Sequence, residues 1–261
     1  MCLAFVLQNR FEHYPLILLF NRDESHSRVT STLNWWQQPK ILAGMDLQSN
    51  GTWGGVSRNG KFALLTFIRG PREKKTPTGR RGLIVPKYLS EDTTLTDFVG
   101  YLTKSAKEFL GYNLIFGDRE NVYHFDNFNC KLTKLADGVH GVSNAYLNTP
   151  WFKVNRGVRK LGSLIEGHGR FVSPNPTLES DVFEILEDQT RPELSEVQVT
   201  GLSVEKEYEK SAIFVALDGY GTKCSSLIMF DRDHNIIFTE RTYNEKSECV
   251  EFKTFNFQIE V

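Results

Sequence analysis

Two apolar runs near the N-terminus, CLAFVLQ (residues 2–8) and PLILLFN (residues 15–21), are hydrophobic on successive positions rather than on alternate ones. A strand points its side chains alternately to two faces, so a run that is apolar throughout belongs to a strand covered on both sides. With only a short linker between them, the two runs predict an antiparallel pair inside a layered structure. Such layers need a large apolar complement, and 40% of the 261 residues are hydrophobic, with four Trp and 19 Phe among them.

Further strand signals stand at residues 52–57 (TWGGVS) and 61–68 (KFALLTFI), joined by Arg58-Asn59-Gly60, where Asn-Gly marks a tight hairpin turn. Behind Asp92, Thr93 and Thr94, any of which can cap, Leu95, Phe98, Val99, Leu102, Ala106, Phe109 and Leu110 recur at helical spacing, and Gly111 supplies a stop. YNLIFGD, VYHFDN and KLTKLAD read as an antiparallel meander. A second helix is expected from Pro150 toward Gly167 and a third over residues 178–188. AIFVAL, SSLIMFD, NIIFTER and VEFKTFNFQIEV return the chain to strands, and a change of parity between Phe252 and Phe255 predicts a bulge near Thr254. Strands at both ends with helices grouped between them give an α+β class rather than alternating βαβ units. No repeat or low-complexity tract interrupts residues 1–261, which are read as one domain. Residues 69–81, RGPREKKTPTGRR, are expected to form an exposed basic loop.

A net charge of -1 with both signs interspersed offers no electrostatic reason for nucleic acid or a membrane surface as partner, which leaves a small molecule as the expected ligand. Cys2, Cys130, Cys224 and Cys249 lie far apart without a C-x-x-C, which fits a reducing compartment. No apolar segment reaches the roughly 18 residues of a membrane span, and MCLAFVLQNR lacks a basic leader region, so a cytoplasmic location is expected. The six histidines form no metal-ligand spacing, and no catalytic metal is expected. The basic loop offers cations for the carboxylate or phosphate of a ligand such as haem, an acyl-CoA or an anionic lipid, or is simply solvated.

Cys2 follows the initiator Met, and removal of Met1 would put a thiol and a free α-amine on one residue. An α-amine with a pKa of about 7.7 to 8.0 can take the thiol proton, giving a nucleophile with its own base. By position alone Cys2 reads first as a small buried hydrophobe at a strand start. The second apolar run ends in Asn21-Arg22-Asp23-Glu24, and a hairpin would return these polar residues to Cys2. There Arg22 would favour the thiolate and Asp23 would hold the ammonium, unless the four simply solvate a strand end. In a regular strand Asn21 and Asp23 share one face and Arg22 and Glu24 the other, so which of Arg22 and Asp23 meets Cys2 is open. His26 follows close behind, and Trp53 beside Gly54-Gly55 either walls a pocket or packs on bare backbone.

MC at the start, NRDE at 21–24, GTWGGVSRNGKFALLT at 51–66, GVSNA at 141–145, TPW at 149–151, YGTKCSS at 220–226 and FTER at 238–241 together resemble the NRDE family, the transport and Golgi organization protein 2 homologues. The resemblance covers nearly the whole chain. It implies an N-terminal-nucleophile hydrolase-like fold, a four-layer αββα sandwich with two antiparallel sheets between helices, similar to the choloylglycine hydrolase and penicillin acylase group. In that group a Cys after Met attacks an amide carbonyl, supported by an Arg and an Asp of the next strand and an oxyanion-binding Asn, which carries over to Cys2, Arg22, Asp23 and Asn144. Those hydrolases separate the Arg and Asp by two residues, whereas Arg22 and Asp23 are adjacent here. Asn21, Glu24, His26 and Trp53 are the residues expected around a substrate. The implied activity is an N-terminal-cysteine amidohydrolase on a small non-peptide amide that needs no cofactor; the alternative is a haem or lipid carrier using the same pocket without hydrolysis.

Overall fold

The computed structural model describes residues 2–69, 78–90, 92–168 and 177–260. In chain order the strands are β1 (Cys2–Gln8), β2 (Leu16–Ser25), β3 (Thr30–Trp35), β4 (Ile41–Asp46), β5 (Gly54–Ser57), β6 (Phe62–Phe67), β7 (Tyr112–Gly117), β8 (Val122–Asp126), β9 (Lys131–Lys134), β10 (Gly138–Val142), β11 (Ala216–Leu217), β12 (Tyr220–Phe230), β13 (Asn235–Tyr243) and β14 (Cys249–Gln258). The helices are α1 (Ile84–Ser90), α2 (Leu95–Ser105), α3 (Phe152–His168), α4 (Leu178–Leu186) and α5 (Val204–Glu209). Contacts gather these into two compact units, Met1–Ser27 with Ala136–Ser143 and Leu147–Gln258, and Arg28–Leu135 with Asn144–Tyr146 and Ile259–Val261.

The first unit is an antiparallel sheet in the order β10-β1-β2-β12-β13-β14, with β11 against β12. Every residue of β1 is buried, as its unbroken apolar run requires. Leu3, Phe5 and Leu7 of β1 and Ile17 and Leu19 of β2 point to one face, where Val154 and Leu161 of α3 and Leu178, Val182 and Phe183 of α4 cover them. Gly157 lets α3 approach, since a Cβ there would run into the Phe5 ring.

The second unit is a meander of antiparallel strands in sequence order from β3 to β9. Ala63, Leu65, Leu114, Phe116 and Phe125 form one face and pack on Ile84, Val85, Tyr88 and Leu89 of α1 and Phe98 and Leu102 of α2. The Asn-Gly signal is borne out: β5 and β6 turn at Ser57–Lys61, and Gly60 takes a φ of +82° that favours glycine. Thr94 caps α2 by accepting from the Asp97 N–H.

Several expectations need correction. The polar segment NRDE does form the end of β2, which stops at Ser25, but it is not a solvated strand end, because Asn21, Arg22 and Asp23 are buried. The predicted strand at residues 212–217 is reduced to β11, because Val215 N–H goes to the Thr222 hydroxyl and Phe214 N–H to the Asp188 carbonyl rather than to a neighbouring ladder. No bulge lies at Thr254, which pairs in register with Thr239; the register shifts instead between Thr242 and Tyr243, which face Glu251 and Cys249. The predicted helix to Leu110 ends at Ser105 and tightens into a 3-10 turn over Ala106–Glu108. Trp35 ends β3, and Trp36 just beyond it donates its indole N–H to the Ala43 carbonyl. Most of the basic loop, residues 70–77, lies outside the described residues.

Candidate functional site

The register of β1 on β2 decides which groups meet. Cys2 stands directly opposite Arg22, and Arg22 directly opposite Cys224 on β12. Opposed residues of antiparallel strands share a face, so Cys2, Arg22 and Cys224 lie side by side on one face of the sheet, all buried. Farther along that face Ser226 donates to the buried Glu240 carboxylate at 3.1 Å.

Asn21 and Asp23 project to the opposite face, toward the helices. The Asn21 amide donates to the carbonyls of Leu186 (2.8 Å) and Ile213 (3.0 Å), and its oxygen accepts from the Ser225 hydroxyl (2.7 Å). The Asp23 carboxylate accepts from the Thr222 hydroxyl at 2.7 Å and lies 3.8 Å from the ammonium of Lys153, in the first turn of α3. Both side chains of this ion pair are fully buried, at 0% exposure. Thr222 reaches Asp23 only because β12 carries a bulge at Lys223: without that extra residue Thr222 would share the face of Cys224.

Burial pushes the Cys2 thiol up, and the Asp23 charge adds to the rise. The positive chain terminus, Arg22 and a hydrogen bond from the Asp23 main-chain N–H oppose it. Burial drives the Cys224 thiol well above the ordinary range, with Glu240 adding and Arg22 opposing. Each thiol feels the Arg22 charge, as expected for a guanidinium lying between them. On β10's side, the Ser143 hydroxyl donates to the Cys2 carbonyl at 3.0 Å.

The remaining expected site residues are distributed differently. Glu24 shares the Arg22 face, half-buried, and caps the Ser25 N–H at 2.9 Å. His26 follows β2, its carbonyl accepting from Lys223 at 3.2 Å, and its buried Nε2 has no hydrogen-bond partner among the described residues. Trp53 and Asn144 belong to the second unit. The Trp53 indole lies on the backbone of Gly44, where any Cβ would collide with it, so what its geometry shows is packing. Asn144 donates its amide to the Phe67 carbonyl at 2.9 Å, and its own carbonyl accepts from the Arg69 N–H at 2.8 Å.

Lys153, Thr222, Cys224 and Glu240 did not emerge from the sequence as site residues. Thr222 and Cys224 sit within the YGTKCSS stretch, and Lys153 stands two residues beyond TPW, so the signal was proximity to those motifs. Among the described residues no group of three or more His, Cys, Asp or Glu could hold a metal ion, and no helix is long and apolar enough to cross a membrane.

Solved structures include a similar fold: the C2A mutant of conjugated bile acid hydrolase from Clostridium perfringens matches with a TM-score of 0.54 over 98% of this chain and 92% of that chain, at 9% sequence identity. The fold is therefore N-terminal-nucleophile hydrolase-like, with two antiparallel sheets and helices. Among curated relatives, the human Transport and Golgi organization protein 2 homolog is 31% identical over 264 residues, covering 95% of this chain and 94% of the relative. The Bos taurus homolog is 32% identical over 251 residues, covering 88% and 87%. The family model described as Transport and Golgi organisation 2 matches residues 1–245, and the chain belongs to that family.

Proposed function

We propose that the protein is an N-terminal-cysteine amidohydrolase that cleaves a small non-peptide amide through Cys2. The observation that carries this reading is the direct opposition of Cys2 and Arg22 on one buried sheet face. Removal of Met1 gives Cys2 a free α-amine. That amine takes the thiol proton, and sulfur adds to the amide carbonyl to form a tetrahedral oxyanion. Collapse breaks the C–N bond, the ammonium returns its proton to the leaving amine, and an acyl-thioester remains on Cys2. Water, deprotonated by the same amine, then releases the acid and restores the thiol.

Arg22 stabilises the thiolate, and the Asp23 N–H donates to sulfur. The Asp23 carboxylate, on the opposite face, acts on the site as a charge and not as a contact of the sulfur. Asn144, which the family resemblance offered as oxyanion donor, directs its amide to the Phe67 carbonyl within the second unit.

The test is intact-mass spectrometry before and after a thiol-selective electrophile, with a Cys2→Ala control. Loss of Met1 together with Cys2 alkylation at least tenfold faster than Cys224 supports the reading. Retained Met1, or a Cys2 no faster than Cys224, overturns it.

One observation favours a second reading, ligand binding on the same face without hydrolysis: Cys2 is buried, and burial pushes its thiol up and so disfavours the thiolate. Haem added to wild type and to Cys2→Ala is the probe. A visible absorption band that depends on Cys2 supports ligand binding, and identical spectra count against a haem-ligating Cys2.

A further inference from the structure

Lys153 is a long cationic side chain at 0% exposure, paired with an equally buried carboxylate. A buried ion pair is weak support for stability, because desolvating both charges costs about as much as their attraction returns. Its placement is more informative. Asp23 is adjacent in the chain to Arg22, the residue opposite Cys2, and its own N–H bonds the Cys2 sulfur. The carboxylate is fixed from two sides: the Thr222 hydroxyl, itself held by the Val215 N–H at 2.9 Å, and the Lys153 ammonium at 3.8 Å. Thr222 reaches it through the Lys223 bulge, so a strand irregularity and a helix both serve this one carboxylate.

We propose that Lys153 is a positioning residue for the Cys2 site: it is the counter-charge that cancels the field of Asp23, so that Arg22 faces the thiol as a net cation. The inference rests on Cys2 being the reacting thiol. Without Lys153, the Asp23 carboxylate would oppose Arg22 across the strand and disfavour the thiolate. Without Asp23, Lys153 would add to Arg22 and favour it. Other charged or titratable side chains on the strands around Cys2 are Arg22 and Glu24 on β2, His140 on β10, Tyr220, Lys223 and Cys224 on β12, and Glu240, Arg241 and Tyr243 on β13. All of these stay constant in a cycle that changes only Asp23 and Lys153.

The experiment is the pH dependence of Cys2 alkylation by iodoacetamide, read from the N-terminal peptide mass, in wild type, Lys153→Met, Asp23→Asn and the double variant. Lys153→Met should move the Cys2 titration up by roughly one pH unit and Asp23→Asn down by a similar amount, the size expected for one charge at an effective dielectric of about 20. The double variant should lie within a few tenths of wild type, and Lys153→Arg should keep the wild-type profile. A Lys153→Met titration that coincides with wild type overturns the inference. If Lys153→Met does not fold, Asp23→Asn against the double variant decides: equal titrations overturn it, and a lower one in Asp23→Asn supports it. Retained Met1 or slow Cys2 alkylation would sink the amidohydrolase reading alone, since the cycle still reports how Lys153 acts on the thiol.

Discussion

Asn21, the first residue of the NRDE segment, ties the centre of the first sheet to the elements that cover it, and Asn21→Leu removes that tie at nearly constant volume. Three buried hydrogen bonds are lost, to the Leu186 and Ile213 carbonyls and from the Ser225 hydroxyl. Each is worth about 1 kcal/mol net, and stranded buried acceptors cost more, about 1–3 kcal/mol each. With Leu's own burial offsetting part of this, the loss comes to about 3–4 kcal/mol. That is a large share of a typical stability of about 5–15 kcal/mol. At a urea m-value of about 3 kcal/mol/M for a chain of this size, the unfolding midpoint should fall by about 1 M. Urea titration followed by far-ultraviolet circular dichroism measures it, with coincidence of a fluorescence transition as the check on cooperativity. A midpoint lowered by less than about 0.3 M would refute the view that these bonds anchor the sheet.

His124, buried and bonded to the Asn113 side chain at 2.9 Å, has its pKa lowered to about 4 by burial, with Lys131 adding to the effect. Because the unfolded chain takes up this proton near pH 6.5, stability present above that pH is lost as pH falls toward 4. The loss is about 2 kcal/mol between pH 7.5 and pH 5, and urea midpoints should lose that dependence in His124→Gln. Gly157→Ala should lower the thermal midpoint despite better helix propensity, since its methyl would strike the Phe5 ring. Gly162→Ala on the same helix meets nothing within 4 Å and should gain about 0.5–1 kcal/mol; a similar outcome for both would contradict the packing of α3 on β1. Cys130 and Cys249 are exposed and Cys224 is buried, so a bulky maleimide should label the first two in native protein and Cys224 only after denaturation; native labelling of Cys224 would count against the closed sheet face.

Much of the architecture was legible along the chain because it follows from local pattern. The unbroken apolar runs of β1 and β2 announced strands buried on both faces, Asn59-Gly60 announced a hairpin, and the spacing of Leu95, Phe98 and Leu102 announced α2. The short strand pair β3 and β4 was not seen, because β3 mixes exposed and buried positions without a clean alternation. The parity change in the last strand was misread as a bulge: alternation is regular from Phe252 to Phe257, and Val250 and Phe252 lie on the exposed face, so their apolar character did not report the buried one.

The site divides the same way. Residue identity and order alone determined that a cysteine follows Met1, that Asn21, Arg22, Asp23 and Glu24 extend an apolar strand, and that adjacent residues of that strand must face opposite sides. Only tertiary structure decided which side belongs to Cys2. That choice rests on the pairing of Cys2 with Arg22, on one extra residue at Lys223 that turns Thr222 toward Asp23, and on a lysine more than a hundred residues away arriving on a helix. Strand register and bulge position are set by contacts between distant segments, and shifting a strand by one residue reverses every side chain it carries.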